Sequence, residues 1–148
     1  IFLNKLVQKN PNIVFDFYGL KGKQPVWAND FFNILPKSKM ALNLSRGSPI
    51  KYYSSNRIAS LIGNGIFTLI DKKTQLNDFF NKDELILYNN IDDLSKKIKF
   101  YSENDSLRKK IAKKGWKKYH SKFNSTVVAK YIVNKTFNIH GKKFHWEK

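Results

Sequence analysis

Apolar residues follow two spacings along the chain, one typical of helices and one typical of strands. They recur at helical spacing in residues 1–10 and again in 26–35, where Pro36 ends the second predicted helix. They alternate or run continuously in four short segments, which predicts strands over residues 13–19, 40–45, 65–71 and 84–88. The third of these, GIFTLID, is nearly continuous in apolar residues, so we expect it to be a central strand.

Further helical segments lie between and after these strands. A short helix is predicted to begin at Asn56 and to end at Gly63, because glycine tolerates the left-handed conformation common at helix ends. Residues 74–80 predict one or two helical turns, and three longer helices are predicted over 91–104, 105–123 and 124–137. This order indicates an α/β fold with a parallel sheet and helices on both faces. We expect a single domain over residues 1–137 and a polar tail over 138–148.

The residue types present exclude several classes of function. The absence of cysteine excludes disulfides, thiolate metal sites and a cysteine nucleophile. The three histidines lack the spacing of a zinc site, so no metal is expected. No apolar run approaches the roughly 20 residues that span a bilayer, which predicts a cytoplasmic domain. The chain begins with Ile1 inside an apolar segment, so we expect a piece of a longer protein.

The formal net charge of +17 is a weaker guide than its size suggests. Lysine supplies nearly all of the basic residues, and asparagine and isoleucine are also frequent. This bias is what an AT-rich genome imposes on any protein, so part of the charge is compositional. A surface this positive nevertheless attracts anions, whether nucleotides, nucleic-acid phosphates or acidic lipid headgroups.

The segment from Lys39 to Asp71 carries the candidate chemistry. Ligands of parallel sheets bind outside the carboxyl ends of the strands, and the loops at 19–25, 46–55 and 71–74 are predicted to reach that edge. Arginine can hold a diphosphate through two parallel hydrogen bonds, and helix N-termini also attract phosphates. The predicted binding residues are Arg46, Asn56, Arg57, Ser60, Gly63, Asn64 and Gly65. Alternatively, the arginines pair with Asp71 and the glycines simply end a helix.

The scarcity of arginine favours the binding interpretation. Two of the three arginines lie in this one loop and helix, although lysine is used almost everywhere else. The third, Arg108, is predicted to lie on a solvated face. The segment Lys109–Lys122 combines lysines with Trp116, which suits a nucleic acid or an anionic membrane, but a lysine-rich outer helix face is the favoured interpretation. Nucleic acid is an unlikely partner because no known reading motif is present.

Four segments together resemble the C-terminal half of GT-B glycosyltransferases, nearest to the group-1-like, CgeB-type branch. They are SKMALNLSRG, NRIASLIGNGIFTLID, LNDFFNKDELILYNNIDDLSKKIKFY and RKKIAKKGWKKYHSKF, within a resemblance that covers residues 12–133. The resemblance implies a Rossmann-like domain that binds a nucleoside-diphosphate sugar. It also implies metal-independent transfer of the sugar to a glycan, a lipid-linked sugar or a protein, as in the biosynthesis of cell-surface polysaccharides.

The same resemblance implies roles for particular residues. Arg57 matches the arginine that opens the family's helix, and Gly65 matches the glycine that ends it. The chain departs from the family pattern at Ser60 and at Tyr52, where the family has carboxylates; serine lacks the two-oxygen grip of a carboxylate on a ribose. No catalytic residue is assigned, because the acceptor site would lie on a missing N-terminal domain, and the isolated chain is expected to be inactive.

The alternative to a glycosyltransferase is a non-catalytic basic α/β module. Such a module would use its lysine-rich surface to dock on a partner or on the inner face of an anionic membrane.

Overall fold

Three parallel strands form one open sheet in a computed structural model that describes residues 1–45, 47–53, 56–141 and 143–147. The strands are β1 (Met40–Asn43), β2 (Phe67–Asp71) and β3 (Ile86–Tyr88), in the spatial order β1-β2-β3. Met40 pairs with Phe67 and Leu69 pairs with Ile86, so β2 is the central strand, as predicted. Because all three strands point the same way, the sheet has one carboxyl edge and one amino edge.

In the described part of the chain, six α-helices accompany the sheet: α1 (Phe2–Lys9), α2 (Ala28–Ile34), α3 (Arg57–Ile62), α4 (Ile91–Glu103), α5 (Asp105–Lys122) and α6 (Ser125–Thr136). Short 3-10 turns lie at Leu35–Lys37, Lys72–Thr74 and Leu76–Asp78. The last three helices begin within a residue or two of their predicted starts, because their first turns are capped or carry an acid. Asn90 accepts hydrogen bonds from two backbone N–H groups of α4, and Asn124 accepts one from α6.

Alternate residues of β2 place helices on both faces of the sheet, which confirms the predicted fold class. Phe67 and Leu69 point to one face, where they pack in a cluster with residues of α1, α4 and α5. Ile70 points to the other face, where Ile62 of α3 and Phe80 join it. Burial on both faces explains why the β2 segment lacks the polar alternation of a half-exposed strand.

The predicted strand over residues 13–19 is wrong. Its described backbone is not paired with the sheet, although Ile13 and Phe15 pack against the core on the face of α1 and α4. Val14, between them, is 88% exposed. The alternating apolar pattern therefore reports that one side of this segment is buried. That burial does not require a hydrogen-bonded neighbour strand.

The end of α3 also differs from the prediction, because Gly63 keeps a right-handed helical conformation and Gly65 adopts the left-handed one. The backbone N–H of Ile66 donates to Leu61 O at 2.9 Å, and that of Gly65 donates to Ile62 O at 3.0 Å. These two bonds form the Schellman arrangement, which requires the left-handed residue one position before the outer donor. Gly63 lacks a side chain for another reason: a Cβ there would overlap the Ala59 carbonyl oxygen and approach Tyr119.

Arg108 is buried, which corrects its predicted place on a solvated face. Its guanidinium donates to the Tyr101 carbonyl oxygen at 3.0 Å and to the carboxylate of Asp105. This pair of bonds ties the first turn of α5 to the end of α4. Its neighbours Lys109 and Lys110 are exposed, as expected for a lysine-rich outer face.

The C-terminal tail, residues 143–147, packs back onto the domain through aromatic rings. Trp146 stacks on Phe123 with ring centroids 5.6 Å apart, and Phe144 contacts Tyr131 of α6 at 5.2 Å. Lys135 of α6 forms an ion pair with Glu147 at 2.6 Å. Each helix in the described parts of the chain is too short or too polar to cross a membrane.

Candidate functional site

The carboxyl edge of the sheet is where the sequence places the ligand. The strands reach this edge at Asn43, Asp71 and Tyr88, and α3 begins here at Arg57. The polypeptide therefore brings the loop after β1, the loop after β2 and the start of α3 to one side of the sheet. Parallel sheets bind ligands in such a crevice.

Arg57 is an exposed cation at this edge. Its Nη1 donates to the backbone carbonyl oxygen of Leu44, the residue after β1, at 2.9 Å. This bond holds the side chain across the opening between β1 and α3 while it uses one of five guanidinium donors. Among the described residues Arg57 forms no ion pair, and Asp71 accepts a hydrogen bond from the Lys73 backbone N–H instead. The pairing of Arg57 with Asp71, left open by the sequence, is therefore not what the structure shows. Arg46 lies outside the described residues.

Neither of the two neutral candidates, Asn56 and Ser60, is held toward the opening by a described contact. Asn56 has a helical backbone, and its side chain caps no described N–H group. The Ser60 hydroxyl lies 3.4 Å from Asn56 O, and Ser60 O accepts a hydrogen bond from the Asn64 side chain at 2.7 Å. The side chains of Asn56 and Ser60 are thus close to Arg57 in the chain, but neither is fixed toward the opening.

The three residues Gly63, Asn64 and Gly65 lie at the other end of α3. A helix of six residues spans roughly 9 Å, and α3 leads from the carboxyl edge to the start of β2 at the amino edge. The structure therefore does not bring these three residues together with Arg57. The loop at 19–25 was predicted to reach the carboxyl edge because it would follow a strand. The segment before it is not a strand, so the basis for that prediction is absent.

Tyr52 and Asp78 join the loops at the carboxyl edge, and sequence reasoning missed this contact. The Tyr52 hydroxyl donates to Asp78 at 2.5 Å, and the Tyr52 backbone N–H donates to Thr74 O at 2.7 Å. The hydrogen bond to the carboxylate raises the pKa of the Tyr52 hydroxyl. The structure thus places the carboxylate of Asp78 against the Tyr52 hydroxyl. No local signal in the sequence links these two residues, which lie on different loops.

An aromatic pocket of about 260 Å³ opens beside this contact. Tyr52 meets Phe79 edge to face, with ring centroids 4.9 Å apart. The pocket is lined by Tyr52, Ile58, Leu76, Phe79, Phe80, Tyr119 and Phe123. Among the described residues at the start of α3, Ile58, the residue after Arg57, is the one that lines this pocket.

Tyr88 and Asp71 are register partners at the ends of β3 and β2. Burial raises the pKa of Tyr88 to about 12, and the nearby charge of Asp71 acts in the same direction. Next to them, Lys97 donates to Leu87 O at 2.7 Å and to Asp93 at 2.9 Å. Partial burial works against the ionised form of Asp93, but hydrogen bonds from Lys97 and Asn89 outweigh it and lower the pKa.

The described residues contain no group of three or more histidine, aspartate or glutamate side chains that would hold a metal ion.

Comparison with known proteins gives one match. A family model described as glycosyl transferase-like matches residues 1–134, which include all six α-helices except the last two residues of α6. No curated protein and no solved structure matches the chain.

Proposed function

The chain belongs to the glycosyl transferase-like family, and from that premise we propose that it binds the donor of the transfer, a nucleoside-diphosphate sugar. The family assigns a role in glycosyl transfer in general. The proposal adds which substrate this domain holds and which edge of the sheet holds it.

The observation that carries the proposal is the position of Arg57. It is exposed at the carboxyl edge, fixed by one bond to Leu44 O, and free of ion pairs among the described residues. A guanidinium held in this way presents its remaining donors as a planar fork that fits two phosphate oxygens. From the sequence, Arg46 is the second arginine expected to bind the same diphosphate. Positive charge at this place stabilises the charge that builds on the departing diphosphate, so the proposal needs no metal ion.

The aromatic pocket beside α3 supports the same assignment. A nucleotide has a charged end and a flat apolar end, and Arg57 and the pocket containing Ile58 offer a surface for each. The Tyr52–Asp78 pair adds hydrogen-bonding groups at the pocket, of the kind that bind sugar hydroxyls.

We further propose that the domain is the C-terminal half of a GT-B enzyme of the CgeB-type branch. An N-terminal domain would then hold the acceptor, a glycan, a lipid-linked sugar or a protein, on the cytoplasmic side of the membrane. The family match and the parallel sheet support this assignment, and the acceptor and branch follow from the sequence resemblance.

The test is thermal stabilisation by nucleoside diphosphates and their sugars. A ligand at 100 times its dissociation constant stabilises the folded state by about 2.7 kcal/mol, which shifts the melting temperature by several degrees. We expect Arg57→Ala to abolish the shift and Arg57→Lys to keep part of it, because lysine supplies the charge without the fork.

The matched control is Lys110→Ala, which removes the same charge from an exposed position on α5. It should leave the shift unchanged. If no nucleoside diphosphate or nucleotide sugar stabilises the protein, or if Lys110→Ala weakens the shift as much as Arg57→Ala, the proposal is wrong.

A second candidate function is a non-catalytic module that docks on an anionic membrane or partner. The exposed lysines of α5 favour it, since positions 109, 110, 113 and 117 are all open to solvent. This candidate predicts binding that depends on the total charge of α5 and is independent of which lysines are removed.

A further inference from the structure

A second concave surface lies at the amino edge of the sheet, opposite Arg57. It is a cleft of about 470 Å³, a size typical of small-molecule sites. Residues 36–39, just before β1, form one wall, and residues 64–67, at the start of β2, form the floor. The middle of α5, from Arg108 to Trp116, forms the other wall. Nothing in the proposed donor site uses this cleft.

All of the charged residues that line the cleft are cations. They are Lys37, Lys39, Arg108, Lys109 and Lys113, and none of the lining residues is acidic. In the described parts of the chain, Lys37, Lys109 and Lys113 have no carboxylate within ion-pair distance. Three ammonium groups therefore face or border one concave space without a protein partner.

The remaining two cations share a single acid. Arg108 and Lys39 both contact the carboxylate of Asp105, the latter at 3.4 Å. The hydrogen bond from Arg108 lowers the pKa of Asp105, and Lys39 adds to the effect. One carboxylate neutralises one of the two charges, so an excess of positive charge remains at the inner end of the cleft. The buried guanidinium also fixes the wall, because it is bonded to Tyr101 O as well.

The floor and rim give the cleft a fixed shape. Gly65, in its left-handed conformation, exposes backbone to the cleft, and Trp116 Cδ1 lies 3.9 Å from where a Cβ at that glycine would be. The Trp116 side chain is 41% exposed, so part of its ring is open to a ligand. The carbonyl oxygens of Leu61 and Ile62 at the end of α3 already accept hydrogen bonds, which limits their repulsion of an anion.

We propose that this cleft binds a phosphate-bearing ligand through Lys37, Lys109 and Lys113, with the ring of Trp116 beside it. The chemistry is that of a phosphate ester or diphosphate. Such a group is present both in soluble phosphorylated molecules and in lipid headgroups. The site is separate from the donor site, because α3 and the sheet lie between the two edges.

The experiment is a titration with inorganic pyrophosphate, measured by calorimetry at physiological salt. At that ionic strength surface charges are screened beyond about 8 Å, so diffuse attraction to a basic protein is weak. The protein carries Arg57→Ala, so that diphosphate bound at the carboxyl edge is not counted. A parallel arm replaces pyrophosphate with vesicles that contain phosphatidic acid.

The double variant Lys109→Ala/Lys113→Ala should weaken binding by about tenfold or more, as expected for lost hydrogen bonds to a charged group. The matched control is Lys110→Ala/Lys117→Ala, which removes two exposed lysines from the same helix outside the cleft. It should leave binding within about twofold, since surface charges far from a ligand contribute little at this salt. Equal losses in the two double variants would overturn the proposal in favour of a diffuse basic surface.

Tryptophan emission gives an independent check on location. Ligand in the cleft should alter the emission of Trp116, and Trp116→Phe should remove the change while Trp27→Phe keeps it. A change that persists in Trp116→Phe places the ligand elsewhere and refutes the proposal. Binding of pyrophosphate identifies a soluble ligand, and binding of vesicles alone identifies a lipid headgroup. Absence of binding in both arms also refutes it.

Discussion

The two edges of the sheet differ in how their charged groups are satisfied. At the carboxyl edge some polar groups are paired within the protein, as in Tyr52 with Asp78 and Asp93 with Lys97, whereas Arg57, Lys72 and Lys73 form no ion pair among the described residues. At the amino edge five cations line a cleft; Lys39 and Arg108 share the neighbouring acid Asp105, and the other three form no ion pair among the described residues. At the carboxyl edge, side-chain hydrogen bonds such as Tyr52–Asp78 connect the loops. At the amino edge, glycines allow segments of backbone to approach closely, and lysines face solvent.

The two edges are indicated as binding surfaces by two different kinds of evidence. The carboxyl edge is indicated by topology, since parallel strands and the start of α3 converge there. The amino edge is indicated by charge, since α5 crosses it with unpaired lysines on the face that lines the cleft. A net charge of +17 therefore does not by itself mark the donor site, because cations without ion pairs among the described residues also line a cleft on the opposite side of the sheet. Because the two edges use different residues, a substitution can change one edge without changing the other.

The largest effect is expected from Gly115→Ala, which acts on the amino edge. A Cβ at this buried position of α5 would overlap the carbonyl oxygen of Glu84, just before β3. Alanine is the better helix former, yet over-packing against fixed backbone costs about 2–3 kcal/mol. We expect the free energy of unfolding in urea to fall by that amount and pyrophosphate binding in the cleft to weaken.

Gly141→Ala is the control for this prediction. A Cβ at Gly141 would meet nothing within 4 Å, so the change should stay within about 0.5 kcal/mol. Equal stability of the two variants would show that α5 does not approach β3 as closely as described.

An intermediate effect is expected from Tyr88 at the carboxyl edge, and it depends on pH. The pKa of Tyr88 is about 12 when folded and about 10 when unfolded, so folding favours its neutral form. The resulting stability is complete below pH 10 or so and is lost as the pH rises toward about 12, by roughly 2 kcal/mol. Tyr88→Phe should remove this part of the alkaline loss in urea unfolding.

Lysines also titrate in this range, so the measured quantity is the difference between the native protein and the variant. Tyr53→Phe, at an exposed tyrosine, is the matched control and should follow the native curve. Parallel curves for the native protein and Tyr88→Phe would contradict the prediction.

The smallest effect is expected from Gly65→Ala at the floor of the cleft. Its φ of +72° is strained for residues with a Cβ, at a cost of about 1–2 kcal/mol. Gly65→Asn should lose less, because asparagine enters the left-handed region more readily. Thermal unfolding of both variants measures the difference, and an Asn variant no more stable than the Ala variant would argue against a left-handed requirement.

The helices and the central strand were predictable because their signals are local. Asn90 and Asn124 cap α4 and α6, and the apolar run of β2 indicates burial on both faces. The strand at 13–19 was not predictable, because an alternating pattern shows that one side is buried and says nothing about a hydrogen-bonded neighbour.

The position of Arg57 in the fold was predictable, whereas the positions of Gly65 and Arg108 were not. Its place at the start of α3 follows from the strand-loop-helix order. Either Gly63 or Gly65 could adopt the left-handed conformation, so the local sequence does not decide between them. The hydrogen bonds that the backbone N–H groups make to Leu61 O and Ile62 O decide it. The burial of Arg108 depends on Tyr101 O, a contact with another helix. Gly115 was the available signal for the amino edge, since a glycine inside a helix usually has a packing reason.

The aromatic contacts of the C-terminal tail link its stability to that of the core. Trp146 stacks on Phe123, and Phe123 stacks on the buried ring of Phe80, so the tail is joined to the aromatic residues that line the pocket beside α3. Ring contacts and an ion pair between Lys135 and Glu147 help to hold the tail, and such contacts open at lower free energy than a sheet does. In hydrogen exchange, the tail therefore belongs to the first unit to open, and its release exposes aromatic surface while the three strands stay protected.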